Sequence, residues 1–461
     1  MSPHAHQQRT VRRSFAVGLP IALLAAIAVA GTATGVPGHD GGEQRAPRVV
    51  ATATLGDIPL GRFSNALLPG TVADDRGVDL GGIGSDLYPA GRKGEFWTVT
   101  DRGPNGQIKV DGKKRRTFPV PGFDPAIVKV RVSGDQVQVI TAIPLTTPSG
   151  RPVTGLSNQA SRDEAPYTYD AKTPLSYDPN GLDTEGIVRA ADGSFWLADE
   201  YGPSLVHVSA RGRVLARYVP EGLKLTGAGY PVVEALPGIL LQRKTNRGFE
   251  GLTQLPGGDL VLAVQSPLSV PDAHAGETSR NARLLRFSPR KRAVTAEYAY
   301  RFDAVDVVDP SEDDTSELKI SSVVAIGGDS LLVQERTDKT SRLHRVTLPR
   351  GGGILGGAWD DAATSPSYEQ LEDPSAAGVP VLRKSLVVDF GKVAGVPGKV
   401  AGVPGKVEGI ALVGRDTLAL INDNDFGMTD GPEAFDAQGR LVDSGIETTV
   451  TYVRLPRPLR G

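Results

Sequence analysis

Asp183-Thr184-Glu185-Gly186-Ile187-Val188-Arg189, Ala190-Ala191-Asp192-Gly193-Ser194 and Phe195-Trp196-Leu197-Ala198-Asp199-Glu200 read in succession as a strand, a turn and a second strand. The Asp-Gly pair between two runs of β-forming residues is the signal of a hairpin. The pattern recurs without gaps. Phe249-Glu250-Gly251-Leu252 leads to Gly258–Gln265, Ser321-Ser322-Val323 to Asp329–Arg336, and Val407-Glu408-Gly409-Ile410 to Asp416–Asp423. With one extra residue, Ser85-Asp86-Leu87 leads to Glu95–Arg102, making five copies.

Further strands follow several copies. Ser204–Val208, Ala282–Phe287 and Ser341–Val346 supply a third strand; Arg213–Tyr218 and Ala293–Tyr298 supply a fourth. Four antiparallel strands repeated around an axis predict an all-β chain folded as a β-propeller. Val128–Val132 and Gln136–Ile140 complete the unit begun at Ser85, and segments 150–182 and 220–247 are long enough for degenerate strands. Six blades are therefore favoured over five or seven. Val49–Thr54 and Thr448–Val453 are natural partners in a shared closing blade, giving one domain over residues 51–457.

Composition agrees. With 56 Gly and 35 Pro in 461 residues, about one residue in five disfavours a helix interior, Pro by ~3 and Gly by ~1 kcal/mol, which excludes long bundles. No cysteine is present, so disulfides, zinc-thiolate sites and thiol nucleophiles are excluded. Lys and Arg number 51 against 53 Asp and Glu, so no global field draws nucleic acid, and none is expected as a partner. A monomer acting on a small substrate is expected.

Residues 1–30 carry Arg9, Arg12 and Arg13, then an apolar run from Phe15 and a small-residue Ala28-Val29-Ala30 end. This is the grammar of a secretory signal, so the protein is expected to be secreted, with no membrane span after cleavage. Arg12-Arg13-Ser14-Phe15 resembles a twin-arginine signal, and both export routes stay open. Residues 31–50 read as a flexible lead. Gly391–Pro397 is duplicated at 398–404, and 391–405 reads as a low-complexity exposed loop.

The hairpin pattern sets the start of each first strand beside the end of the second. Glu185 is thus placed near Asp199 and Glu200, Glu250 near Gln265, Glu408 near Asn422 and Asp423, and Asp86 near Asp101 and Arg102. A ring of carboxylates at one mouth offers hard oxygen ligands, which suit Ca²⁺. Glu185, Asp199, Glu200, Glu250, Glu408 and Asp423 are the candidate metal ligands. Asn422-Asp423-Asn424-Asp425-Phe426-Gly427 adds oxygens in one loop. Arg243, Arg247 and Arg336 lie beside the acids, and carboxylates with arginines are the combination a phosphate ester needs. The bland alternative is that the Glu-Gly pairs only cap strand ends. Gly328-Asp329-Ser330-Leu331 spells a GDSL hydrolase signature, yet it falls where the other copies have a turn. Histidine is sparse beyond the lead, so triad chemistry is disfavoured.

Asn180–Ile187, Trp196–Pro203, Arg243–Leu252 and Glu317–Ser321 resemble the phytase-like family, "esterase-like activity of phytase", over roughly residues 80–430. The resemblance implies a secreted β-propeller distantly comparable to calcium-dependent phytases. The expected activity is metal-assisted hydrolysis of a phosphate or related ester, with Glu185 and Glu250 at the catalytic metal and Arg243, Arg247 and Arg336 on the phosphoryl oxygens. The alternative is a non-catalytic propeller that binds a cell-wall, glycan or protein ligand.

Overall fold

Five times in the molecule, four strands lie side by side as a unit, and parallel pairing of Arg48–Leu55 with Gln136–Pro144 joins the first and fifth units into one eight-stranded sheet. In the computed structural model, which describes residues 46–68, 72–395 and 402–459, these units account for most of the regular structure. The first holds Tyr88–Pro89, Glu95–Val99, Ala126–Ser133 and Gln136–Pro144. The second holds Thr184–Arg189, Phe195–Asp199, Ser204–Val208 and Val214–Pro220. The third runs Phe249–Gln254, Leu260–Val264, Asn281–Ser288 and Ala293–Arg301; the fourth runs Val323–Gly327, Ser330–Arg336, Ser341–Thr347 and Lys384–Asp389. Val407–Val413, Thr417–Asn422, Thr449–Arg454 and Arg48–Leu55 form the fifth, in which the N-terminal strand pairs antiparallel with the C-terminal one. The chain is thus mostly β, in several antiparallel sheets. All described residues fall in one compact unit, Arg45–Gly461.

The first strands meet one another in a closed ring. A Cβ on Gly186 would lie 2.7 Å from the Glu250 carbonyl, and one on Gly251 would lie 3.2 Å from the Val323 nitrogen. The Gln334 side chain donates to the Val407 carbonyl (2.8 Å), a Cβ on Gly409 would lie 2.6 Å from the Asp86 carbonyl carbon, and the Ile187 amide donates to the Asp86 carboxylate (2.8 Å). Each Glu-Gly pair therefore has a backbone reason: glycine alone allows the neighbouring sheet so close.

Six units were expected, and five are present among the described residues. Segment 150–182 contributes only Pro166–Tyr167, which pairs with Lys113–Thr117, because its Asn158, Asp178 and Asn180 are buried as coil that hydrogen-bonds the second sheet's loops. Segment 220–247 contributes Val232–Leu236, a fifth strand parallel to Val214–Pro220 on the second sheet's edge. The export signal, most of the lead and the middle of the duplicated loop lie outside the described residues. No helix among the described residues is long and apolar enough to cross a membrane.

Cores form between sheets rather than at one centre. Val188, Trp196, Leu205 and Tyr218 pack against Leu252, Leu262, Leu285 and Phe287, and Trp196 stacks on His207 at 4.1 Å between ring centroids. His207 is thereby structural, as its third-strand position suggested. The Gly328–Ser330 stretch is a tight turn, with φ of +54° at Gly328 and Ser330 opening a strand.

Candidate functional site

At one end of the ring each glutamate sits where its strand loses register. Pairing jumps from Gly186↔Ala198 to Thr184↔Asp199, from Leu252↔Leu262 to Phe249↔Val264, and from Gly409↔Ile421 to Val407↔Asn422. Glu185, Glu250 and Glu408 are the bulged residues. A bulge re-aims a side chain that regular pairing would send to a sheet face. The three carboxylates, each on a different sheet, offer oxygens within 4.8 Å of one another, and Glu185 makes a second such group with Asp101 and Asp183.

Asp101, Glu185, Glu250 and Glu408 line a cavity of about 170 Å³ together with Arg102, Asn246, Arg247, Gln265, Lys319, Arg336, Lys406, Asp423 and Asp425, and Asp183 is buried behind them. At ~30 Å³ per water, it has room for a hydrated ion or one phosphoryl group. The acids divide by whether a cation meets them. Arg336 donates to Glu250 (3.3 Å), Glu408, Asp338 (2.8 Å) and Ser321 Oγ (2.5 Å). Lys406 holds Asp423 (2.7 Å) and Asp425, and Arg102 lies 3.0 Å from Asp183 and 3.6 Å from Glu200. Glu185 is met by neither a hydrogen bond nor an ion pair among the described residues. Glu250 Oε2 and Gln265 Oε1 are also buried without a hydrogen-bond partner.

The electrostatic consequence is strong. Burial, then Asp183, Glu200, Glu408 and Asp101, hold the Glu185 carboxyl well above its usual range. Burial, then Asp423 and Asp183, raise Asp101; burial and Asp183 raise Glu200 despite Arg102. Burial outweighs Arg336 and Lys406 at Glu408 and pushes it up to about 8. Oxygen-only donors, crowded and uncompensated at Glu185, fit a hard divalent cation such as Ca²⁺.

Two expected residues lie elsewhere. Asp199 is fully buried and does not line the cavity: it accepts from Arg217 Nη2 (2.6 Å), the Asp183 amide (2.8 Å) and Ser204 Oγ. It is a strut: although its pairing with Thr184 lies at the register slip, Asp199 pairs in regular register with Ser204, whose hydroxyl donates to its carboxylate. Arg243 donates to Asp163 (2.7 Å) and likewise misses the cavity. Arg336 lines the cavity as a counter-ion to two glutamates. Arg247 lines it too; its guanidinium donates to Ser266 Oγ (3.3 Å), and among the described residues no carboxylate forms an ion pair with it, though its charge acts on Glu200. Glu200, Glu408 and Asp423 also line the cavity. In the 422–427 loop, Asn422 Oδ1 accepts from the Thr449 amide and Asn424 Oδ1 from those of Gly82 and Phe426, so neither oxygen is free.

The sequence reading missed Lys406, Lys319 and Asp183. Lys406 ends the duplicated Gly-Lys-Val run, and its place just before Val407-Glu408 was the available signal. Two other regions compete as sites. Asp303, Glu335 and His344 also cluster, but Lys384 lies 2.8 Å from Asp303 and bonds Glu335, so an internal ammonium fills that position. A cavity of about 930 Å³ at the opposite end of the first strands is larger, yet it is lined chiefly by strand ends such as Leu252–Leu255 and Val323–Gly327. Its carboxylate, Asp86, already accepts from the Leu87 and Ile187 amides.

Comparison with known proteins follows the same residues. An uncharacterized secreted protein of Arthroderma benhamiae is 26% identical over 296 residues, 55% of this chain and 58% of that one, so the chain spans little more than half of that relative. The PQQ-bound aldose sugar dehydrogenase of Streptomyces coelicolor aligns over 83% of this chain and 98% of its own at 11% identity, TM-score 0.33. Virginiamycin B lyase of Staphylococcus aureus aligns over 82% and 98% at 10% identity, TM-score 0.30. The family model described as "Phytase-like: Esterase-like activity of phytase" matches residues 78–426, a span that contains Glu185, Glu250 and Glu408 and most of the cavity wall, and the chain belongs to that family.

Proposed function

We propose that the five four-stranded units form a five-bladed propeller in one domain over residues 51–457, and that its acidic mouth binds Ca²⁺ and hydrolyses a small phosphate or related ester. The observation that carries this reading is Glu185, a buried carboxylate without a partner at the junction of two carboxylate triads. Unpaired buried charge is costly, and a site that retains it gains most from a bound cation. Asp101, Asp183, Glu185, Glu250 and Glu408 would hold the ion. Bound there, Ca²⁺ would supply charge neutralisation and a polarised water.

The chain's own residues do the rest. Arg247 and Lys319 face the same cavity, and Arg247, in no ion pair among the described residues, holds a phosphoryl oxygen. Arg336 and Lys406 keep Glu250, Glu408 and Asp423 in place. The small cavity admits the phosphoryl group and leaves the alcohol at the lip, where it departs into solvent. No cysteine exists to form a covalent intermediate, and in-line attack by water requires none. Secretion fits the relative named a secreted protein, and the chain would act as a monomer.

A second reading keeps the ion and drops the turnover. Its support is the number of mouth acids already neutralised internally by Arg336, Lys406 and Arg102. One experiment separates the two. Ca²⁺ is titrated while melting temperature and hydrolysis of p-nitrophenyl phosphate, phytate and short-chain esters are followed, for the parent and for Glu185→Gln. Metal-dependent turnover lost in the variant supports the hydrolase; stabilisation without turnover on any substrate supports a binding protein; no metal effect overturns both.

A further inference from the structure

Beside the mouth, Gly106–Val110 and Lys113–Thr117 form a hairpin around Asp111-Gly112, both with positive φ, the two-residue turn of a tight hairpin. Its twelve residues hold Lys109, Lys113, Lys114, Arg115 and Arg116 against the single acid Asp111, in a chain of net charge −2. Register sorts these cations. Gln107 pairs with Arg116 and Lys109 with Lys114, so Arg116, Lys114 and Lys109 share one face. Arg116 lines the mouth cavity, which makes this face a basic strip running outward from the proposed site.

The strip is built against local stability. Like charges directly opposite each other in an antiparallel pair repel. Lys109 and Lys114 are such a pair, both exposed, and no carboxylate among the described residues pairs with either. The acid on this face, Glu164, is held by Arg116 (2.9 Å) and Gln107 (3.0 Å). On the other face, Arg115 covers the Tyr167 ring at 4.7 Å and so withdraws the aromatic surface on which a nucleobase would stack.

We propose that this hairpin docks a linear inorganic polyphosphate and leads its end to the mouth. Two ammonium groups facing each other across one rung call for an anion that carries charge on every unit, which polyphosphate does and a phosphodiester polymer with spacers does less densely. The cavity's size admits a terminal phosphoryl group while the remaining chain follows the strip. The proposal concerns a surface outside the mouth and stands whether or not the mouth turns over an ester.

The test is equilibrium binding of short and long polyphosphate to the intact chain, at several salt concentrations, for the parent and for the double variant Lys109→Gln/Lys114→Gln. Long chains should bind the parent at least tenfold more tightly than the variant. The slope of log affinity against log salt should fall by about two, one for each lysine. Orthophosphate binding should not change, and the variant should melt no lower than the parent because a repulsive pair has been removed. The Ca²⁺-induced rise in melting temperature should be the same in the double variant as in the parent, which separates failure at the mouth from failure at the hairpin. Equal binding by parent and double variant would overturn the proposal, as would a single-stranded DNA or glycerol phosphate polymer of equal charge binding as tightly as polyphosphate.

Discussion

Asp199 and Glu185 belong to the same hairpin of the second sheet, and the structure treats them in opposite ways. Asp199 accepts from a backbone amide, a serine hydroxyl and Arg217, whose guanidinium also reaches Asn158, Tyr230 and the carbonyls of Gly181 and Tyr201. Glu185, on a bulge, has no hydrogen-bond or ion-pair partner among the described residues and has Asp101, Asp183, Glu200, Glu250 and Glu408 for neighbours. A buried ionic group whose bonding capacity is filled ties loops together. One whose capacity is left open marks where a ligand belongs.

The largest effect expected from this contrast is on folding. Arg217→Met should strand a buried carboxylate and cost about 3–5 kcal/mol, read as a lower urea midpoint, and Ca²⁺ should not restore it. A mild loss, or rescue by Ca²⁺, would mean that Asp199 belongs to the metal site after all. Glu185→Gln should do the reverse. It relieves repulsion, so the metal-free variant should be at least as stable as the parent while losing the Ca²⁺-induced stabilisation, about 2.7 kcal/mol at a hundredfold excess over Kd.

The pH dependence sharpens the comparison. Glu408, at about 8 when folded, has an unfolded value near ~4.3, so between these the folded state binds more protons than the unfolded state. Stability of the metal-free protein should therefore fall as pH rises from about 5 to 8, by up to ~1.4 kcal/mol per pH unit for each full proton. The raised carboxyls of Asp101, Glu185 and Glu200 act with the same sign. A cation displaces those protons, so calcium affinity should rise over the same range and flatten the melting profile. A melting temperature that climbs from pH 5 to 8 without metal would contradict the crowded-carboxylate account.

The repeat was legible because hairpins write themselves in local sequence: two apolar runs, a Gly or Asp turn, and a fixed spacing. The five copies correspond to the five four-stranded units, and the strands at 204–208, 281–288 and 341–347 fall where the apolar alternation put them. The sixth unit was inferred from length alone, and the residues there carry Asn and Asp that bury as coil. The acids of the mouth were legible for the same reason as the strands. Their ion pairs were less so: Arg336 was placed beside the acids but assigned to phosphoryl oxygens rather than to Glu250 and Glu408, and Lys406 was missed, because which carboxylate a long cationic side chain meets is not written in local sequence. Nor was the difference between Asp199 and Glu185, since a bulge reverses a side chain's direction without altering the apolar pattern that sequence displays.

A smaller effect tests the two arginines that sequence placed together. Arg247→Gln should raise KM for a phosphate ester about tenfold with little change in melting temperature, since it removes one charge-assisted contact of about 1.5–3 kcal/mol from bound substrate. Arg243→Gln should do the opposite, lowering stability through the loss of Asp163 while leaving KM near the parent value. If both variants shift KM equally, the cavity extends to Arg243 in the working protein.

The smallest effect is expected at the serine that most resembles a nucleophile. Ser330 opens the second strand of the fourth sheet, and its hydroxyl lies 3.1 Å from Thr347 Oγ1. It lines the cavity at the opposite end of the first strands rather than the acidic mouth. No histidine hydrogen-bonds it among the described residues, so nothing is placed to take its proton. Ser330→Ala should therefore leave hydrolysis of both phosphate and carboxylate esters unchanged and move stability by no more than about 0.5 kcal/mol, the usual range for a surface substitution. Loss of short-chain esterase activity with phosphate ester turnover intact would give the chain two separate reactive ends. The satisfied and unsatisfied carboxylates of the second sheet would then explain only one of them.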